Sequence, residues 1–262
     1  MFDRKAVQAA SIFLFDCWER GACIDQLPEE IRPRTRLDGY AIQAALMERT
    51  TSPLFGWKIA ATSAAGQKHV NVDGPMAGRI LQKDVLIATT PISLTGNRMR
   101  VAEVEFAFRM GRSLVPRETK YDVNEVMEAV ATVHPAIEVP DSRYEPFTTV
   151  GEAQLIADDA CAHKFVLGDA AEGSWRALDL VEHAVKAKVS GKFAHWGKGA
   201  NVLGDPRVAL TWLVNELSGL GLVLSAGEVV TTGTCIPPFA VTQGDEVVSD
   251  FGSLGGLSVR FC

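Results

Sequence analysis

The sequence predicts an α+β protein with a helical amino-terminal region followed by a mainly β chain. Over about the first fifty residues, apolar side chains recur three and four positions apart, which is the period of a helix. Beyond that point, short runs of alternating apolar and polar residues are separated by glycine and proline, a pattern typical of strands and turns. We therefore expect a helical region at 1–54 and a β-rich domain at 55–262.

Two helices are predicted in the amino-terminal region. The first covers residues 3–20 and stops at Gly21. The second runs over 37–49, with the Thr35 hydroxyl available to cap its first turn. Both carry an apolar stripe, so we expect each to pack one face against the rest of the molecule.

Later helices are marked by capping residues. Asp122 precedes a short helical segment that ends before Pro135. Asp205 and Pro206 occupy the N-cap and first helical positions of a longer one.

Residues 176–189 are predicted as a strand region, although 181–188 also fit a helix. The other predicted strands lie near 56–60, 78–81, 85–88, 101–109, 135–140, 165–168, 227–234, 244–248 and 257–261.

Composition narrows the function classes. The 262 residues are 47% hydrophobic and 22% charged, as in an ordinary globular chain. A net charge of −6, with no basic run, argues against nucleic acid as a partner. The five cysteines lack metal-site spacing, which favours reduced thiols. No apolar stretch is long enough for a signal peptide or membrane span, so we expect a cytoplasmic protein without membrane contact.

Paired acids stand out in the segment 101–109. Glu103 and Glu105 alternate with Val104 and Phe106, so a strand would place both carboxylates on one face, about 7 Å apart. Glu138 occupies a similar apolar setting. Three such oxygen ligands suit a hard divalent cation such as Mg²⁺ or Mn²⁺. The alternative is that the two acids form the solvated face of an amphipathic strand.

Lys58 is a second candidate, within the apolar strand at 56–60. The side chain of Lys58 lies on the face of the strand opposite to Trp57 and Ile59, so it faces either the interior or the solvent without them. An inward lysine is either a partner in a salt bridge or a functional cation. The residue pattern leaves both roles open.

Short blocks in order along nearly the whole chain are similar to those of a known family: Gly56-Trp-Lys58, Thr62-Ser63, Val101-Ala-Glu103-Val-Glu105, Pro135-Ala-Ile-Glu138, Asp141-Ser-Arg143, Phe165-Val-Leu-Gly168, Leu203-Gly-Asp-Pro206, Ala226-Gly-Glu228, Thr232-Gly-Thr234 and Asp250-Phe-Gly-Ser-Leu-Gly255. Together they resemble the fumarylacetoacetate-hydrolase-like superfamily, and within it the branch of 2-keto-4-pentenoate hydratases and 4-oxalocrotonate decarboxylases. The resemblance implies a mixed β-roll of the fumarylacetoacetate-hydrolase carboxy-terminal type, usually assembled as a homo-oligomer.

The resemblance also implies a metal-dependent activity. Glu103, Glu105 and Glu138 match the family's ligands for Mg²⁺ or Mn²⁺. The implied reaction is addition of water to a 2-hydroxy-2,4-dienoate, giving a 4-hydroxy-2-oxo acid in aromatic catabolism. Decarboxylation of a 4-oxalocrotonate-type acid is the first alternative. C–C hydrolysis of a related β-diketo acid is a second and less favoured alternative. A metal-free accessory subunit is a further alternative, against which the retained glutamates and Lys58 argue.

Further site residues follow from the same resemblance. Lys58 matches a lysine that holds the substrate carboxylate or relays a proton, and we expect burial and the metal to lower its pKa. Thr62, Ser63, Gln67 and Thr234 are expected to bind substrate, with loop capping as the alternative role for each.

The chain also departs from the family pattern. Hydratases of this branch often have Pro-Asp-x-Gly, whereas this chain has Pro75-Met-Ala-Gly78, and Asp73 is the nearest acid that could serve catalysis instead. An apolar residue at position 76 is more similar to the decarboxylases. The usual Asp-Asn-Ala-Ser block is replaced by Asp158-Asp-Ala-Cys161.

Overall fold

The computed structural model describes residues 3–190 and 193–262, except for the side chain of Phe193. The helices are α1 (Arg4–Arg20), α2 (Arg36–Leu46), α3 (Ala64–Val70), α4 (Val123–Ala129), α5 (Glu152–Ala157) and α6 (Pro206–Gly219). The strands are β1 (Leu54–Ala60), β2 (Met76–Leu81), β3 (Val85–Leu86), β4 (Val101–Met110), β5 (Val130–Val139), β6 (Lys164–Leu167), β7 (Ala184–Val189), β8 (Phe193–Lys198), β9 (Val229–Thr234), β10 (Phe239–Ala240), β11 (Glu246–Asp250) and β12 (Gly256–Arg260). The predicted α+β class is confirmed, whereas the division into regions 1–54 and 55–262 stays a prediction.

Two sheets form the β part. The larger has the order β2-β1-β9-β4-β5-β6-β3, with β10 also paired to β4, and the smaller has the order β12-β11-β7-β8. Most pairs are antiparallel, but β1 pairs with β9 and β3 with β6 in parallel, so the larger sheet is mixed. Strand β4 lies near the middle and is antiparallel to both β5 and β9. Its side chains therefore face neighbours on both flanking strands.

Both faces of β4 are covered. Val104, Phe106 and Phe108 are fully buried in the main core, where the ring of Phe106 meets that of Phe251 edge-on at 5.1 Å. Ala107, on the opposite face, belongs to a separate buried cluster with Phe165. The acids of this strand consequently lie in a sheet that is buried on both sides.

The predicted helix caps are present. The Asp3 carboxylate accepts a hydrogen bond from the Lys5 N–H, and α1 ends at Gly21, whose positive φ of 61° suits glycine. Thr35 and Asp38 form a reciprocal capping box at the start of α2. Helix α2 ends at Leu46, where a tighter 3₁₀ turn over 47–49 replaces the last predicted helical turn. No described helix is both long enough and apolar enough to cross a membrane.

Two predictions for later segments need correction. In the 176–189 segment only β7 is a strand, and a 3₁₀ turn over 175–177 precedes it, so neither a strand throughout nor a helix over 181–188 is present. The short helix α4 follows Asp122 as predicted, but β5 begins directly after it at Val130 and continues through Pro135.

His134 is a residue of strand β5. The Pro135 carbonyl accepts from the Gly168 N–H at 2.8 Å, but proline has no N–H with which to return the bond. The His134 ring supplies the missing donor, because its Nδ1 lies 2.9 Å from the Gly168 carbonyl oxygen. Its Nε2 then accepts from the Thr132 hydroxyl at 2.7 Å. Burial lowers the pKa of His134, which keeps the ring neutral in this role.

Asp158 joins the amino-terminal helix to the rest of the chain. Its buried carboxylate accepts from the indole Nε1 of Trp18 on α1 at 2.9 Å. It also accepts from the Ser142 hydroxyl and from the Arg143 N–H, each at 2.7 Å. Burial raises the pKa of Asp158 to about 6, and the three donors oppose that increase.

We expect Asp158→Ala to lower the free energy of unfolding by about 3 kcal/mol, because three buried donors would lose their acceptor. The measurement is urea unfolding at pH 8, followed by circular dichroism. Asp16→Ala, at an exposed position on α1, is the control and should change stability by less than about 0.5 kcal/mol. Equal stability of the two variants would contradict the role given to Asp158.

Candidate metal centre and cavity

Strand pairing brings the three predicted carboxylates together. Glu103 on β4 lies directly opposite Glu138 on β5, and Glu105 lies opposite the small Ala136. Ligand oxygens of all three glutamates lie within 4.8 Å of one another. Glu103 and Glu105 are two positions apart in β4, so both carboxylates project from one face, as the period of a strand requires.

The site leaves buried oxygens without hydrogen-bond partners. Glu105 Oε2 accepts from the Gly233 N–H at 2.8 Å and from the Thr231 hydroxyl, whereas Oε1 has no partner among the described residues. Glu138 Oε1 pairs with Lys58, whereas Oε2 has none. Glu105 and Glu138 are only 1% and 2% exposed, so the solvated-face interpretation is wrong. Unpaired carboxylate oxygens converging on one point fit a hard divalent cation.

Charge balance supports the same conclusion. Three carboxylates face one ammonium group, so ionisation of all of them leaves an excess of two negative charges in a buried site. Burial raises the pKa of Glu105, and repulsion from Glu138 and Glu103 adds to the increase. Burial likewise raises the pKa of Glu138 to about 7, against the lowering effect of Lys58. A bound divalent cation would supply the positive charge that the protein groups lack.

Lys58 forms the salt bridge that its sequence position allowed, whereas its role as a functional cation stays a prediction. From β1 its Nζ lies 2.9 Å from Glu138 Oε1 and donates to the Ala160 carbonyl at 3.0 Å, and the side chain is 3% exposed. It also lines the cavity described below. Burial would lower the pKa of Lys58, but Glu138 and Glu103 outweigh burial and raise it. The protein groups by themselves therefore do not produce the lowered pKa that we expected for Lys58.

An unusual backbone segment presents the Ala160 carbonyl. Asp159, Ala160 and Cys161 have consecutive positive φ angles of 57°, 51° and 64°, which non-glycine residues rarely adopt. The Asp159 carboxylate holds the segment by accepting from the Arg79 N–H at 2.6 Å. Gly78 is required beside it, because a Cβ there would lie 2.3 Å from the Asp159 carbonyl oxygen.

Glu103, one of the three carboxylates, borders a cavity of about 1000 Å³. Of the predicted substrate-binding residues, Thr62, Ser63 and Thr234 line it, together with Lys58 and Glu103. Ser63 also caps α3 by accepting from the Gly66 N–H, so the capping role holds for this residue as well.

Two predicted residues do not line the cavity. Gln67 donates from Nε2 to the Ala61 carbonyl at 3.1 Å, which is a loop-stabilising contact. Asp73 is exposed in the turn before β2. A catalytic role for Asp73 and a substrate contact for Gln67 stay predictions. Residues that the sequence did not indicate, including Asn201 and Cys161, do line the cavity.

Comparison with known proteins identifies a matching family and several named relatives. The model of the fumarylacetoacetate hydrolase carboxy-terminal family matches residues 26–261. The chain is 30% identical over 257 residues to a 2-keto-4-pentenoate hydratase of Paraburkholderia xenovorans (strain LB400), covering 97% of this chain and 94% of the relative. It is 27% identical over 241 residues to a 4-oxalocrotonate decarboxylase of Pseudomonas putida, covering 91% and 90% of the two chains.

A solved structure has the same fold. The 4-oxalocrotonate decarboxylase of Pseudomonas putida G7, complexed with magnesium and adipate, superimposes with a TM-score of 0.90 at 24% identity. The match covers 100% of this chain and 99% of that one. The similarity establishes a shared architecture along the entire length.

We expect Mg²⁺ to raise the unfolding temperature of the wild-type protein and to leave that of Glu105→Gln unchanged. A ligand at about a hundredfold excess over its Kd stabilises a folded protein by about 2.7 kcal/mol. Without metal, the variant should unfold at the same or a higher temperature than wild type, because one of three mutually repelling carboxylates is gone. Thermal unfolding by circular dichroism, with and without Mg²⁺, measures both effects.

The matched control is Glu128→Gln, at an exposed position on α4, which should retain the full Mg²⁺ effect. A Glu105→Gln protein that is stabilised by Mg²⁺ as much as wild type would show that the ion binds elsewhere.

Proposed function

The chain belongs to the fumarylacetoacetate hydrolase family, and we propose that it is a metal-dependent hydratase that adds water to a 2-hydroxy-2,4-dienoate and forms a 4-hydroxy-2-oxo acid. The observation that carries the proposal is the convergence of three carboxylates, of which two are buried and have unpaired oxygens, beside Lys58 at the wall of a large cavity. The similarity to 2-keto-4-pentenoate hydratases over nearly the whole chain supports the reaction class.

Glu103, Glu105 and Glu138 would hold the cation, for which we propose Mg²⁺ or Mn²⁺ because all three ligands are carboxylates. When bound, such an ion supplies Lewis-acid stabilisation of negative charge on the 2-oxygen of the substrate. Glu103 borders the cavity, so the metal would be accessible to substrate from that side.

Lys58 would bind the substrate carboxylate and hold a proton at Nζ. Its ammonium group is fixed by Glu138 and the Ala160 carbonyl, so it is positioned before substrate arrives. Ketonisation of the dienol moves a proton from the 2-hydroxyl to C5, and water then adds at C4 of the resulting enone. We assign this proton transfer to Lys58 because its side chain, unlike that of Asp73, lines the cavity.

Thr62, Ser63 and Thr234 line the cavity and would bind the substrate. We further propose that the protein is a cytoplasmic homo-oligomer that acts on a small-molecule acid, as its sequence composition and family suggest.

Decarboxylation is the second candidate. Met76 lines the cavity at the position where hydratases of the branch often have an acid, and the chain is also similar to a 4-oxalocrotonate decarboxylase. The same Lewis-acid stabilisation of negative charge on the 2-oxygen would support loss of CO₂ from a vinylogous carboxylate.

The deciding assay incubates purified protein and Mg²⁺ with 2-hydroxypenta-2,4-dienoate and, separately, with 2-oxo-3-hexenedioate. We expect the diene absorbance to fall without release of CO₂, because water adds across the conjugated system. Release of CO₂ from the diacid, with no loss of the dienoate, would replace the hydratase proposal by the decarboxylase. Protein heated to unfolding serves as the blank.

We expect Lys58→Ala to lower kcat by about a hundredfold or more while Mg²⁺ still binds, since a positioned proton donor contributes at least that much. Steady-state kinetics and a Mg²⁺ titration measure the two effects. Lys68→Ala, at an exposed position on α3 outside the cavity wall, is the control and should keep wild-type kcat. Unchanged turnover in Lys58→Ala would remove the lysine from the mechanism.

A further inference from the structure

We propose that the cavity selects substrates whose far end is an uncharged alkyl or aryl group and discriminates against a second carboxylate. The inference rests on the proposed function for the head of the substrate, because the metal centre and Lys58 would bind its 2-oxo acid end. It adds the chemical class of the tail, which the remaining wall determines.

The charges of the cavity wall lie at one place. Among the described residues that line it, Lys58 and Glu103 carry full charges, and no arginine is present. Lys58 already pairs with Glu138, and the substrate head would use what remains of its positive charge. His69 also lines the cavity, but it is exposed and its ring lies edge-on to Phe147 at 5.9 Å. A second carboxylate would therefore enter without a buried cation to meet it.

The rest of the wall is largely apolar. Large apolar side chains from β2, α5 and three loops line it, namely Met76, Met99, Phe147, Leu155, Pro237 and Pro238. The strands that carry Lys58 and Glu103 also contribute apolar side chains, Ile59 from β1 and Val101 from β4. Together these side chains form a surface suited to hydrocarbon.

The volume of the cavity supports the same inference. At about 1000 Å³ it reaches the upper end of the range of roughly 300–1,000 Å³ found for pockets that hold drug-sized ligands. A five-carbon acid would leave most of this space to water against apolar side chains. A longer uncharged tail would displace that water, and each buried methylene is worth roughly fourfold in affinity.

The test compares two 2-oxo acids of equal chain length, 2-oxoheptanoate and 2-oxoheptanedioate, by calorimetric titration of the Mg²⁺-loaded full-length protein. We expect the monoacid to bind at least about tenfold more tightly, because the diacid must strip water from a carboxylate that finds no partner. Equal affinities, or tighter binding of the diacid, would overturn the inference.

A pair of variants tests the assigned wall. Phe147→Arg places a cation in it at a half-buried position, where folding tolerates change, and should reduce the monoacid preference at least fivefold. Phe147→Leu is the matched control and should keep the preference. An unchanged ratio in Phe147→Arg would mean that the tail does not reach this part of the cavity, which also counts against the proposal.

Failure of this inference and failure of the proposed function give different results. Binding of the two saturated oxo acids does not depend on turnover, so a monoacid preference in a protein that leaves every 2-hydroxydienoate intact supports the tail assignment and rejects the hydratase. Hydration of 2-hydroxypenta-2,4-dienoate together with tighter binding of the diacid does the reverse.

Discussion

Burial of like charges is the constraint on which the site depends. Glu103 and Glu138 lie opposite each other on paired strands, and Glu105 joins them from the same face of β4. Removing carboxylates from water is costly, and their mutual repulsion adds to that cost. The fold tolerates them because both sheet faces around β4 are packed, which holds the strands in register, and because Lys58 and the donors from β9 offset part of the charge. The negative charge that remains uncompensated would attract a divalent cation.

The position of Lys58 depends on a chain of contacts that runs away from the metal centre. The Lys58 ammonium group donates a hydrogen bond to the Ala160 carbonyl, and three consecutive residues with positive φ orient that carbonyl. Such conformations cost free energy and persist where neighbouring contacts hold them, in this case the bond from the Arg79 N–H to Asp159. The adjacent Asp158 ties the same turn to α1. Helical and β parts of the chain are thus joined at the segment that orients Lys58.

The cavity wall combines a few polar groups with a larger apolar surface. Lys58 lies on β1, Glu103 on β4 and Thr234 at the end of β9, whereas Thr62 and Ser63 lie in the loop after β1. Many of the large apolar side chains come from loops and from α5. Because loops vary more readily in sequence than strands, this part of the wall can change while the carboxylates stay in register.

The sequence by itself determined the class of fold, the main helix caps and the grouping of the glutamates. These features are local: the period of two places Glu103 and Glu105 on one face, and Thr35 or Asp205 can cap only the helix that follows it. Only the tertiary structure decided that Glu105 and Glu138 are buried, that Lys58 pairs with Glu138 and that Asp73 lies outside the cavity wall. It also decided the left-handed turn at 159–161 and the strand role of His134, because both depend on hydrogen-bond partners that are distant in sequence or missing from a proline.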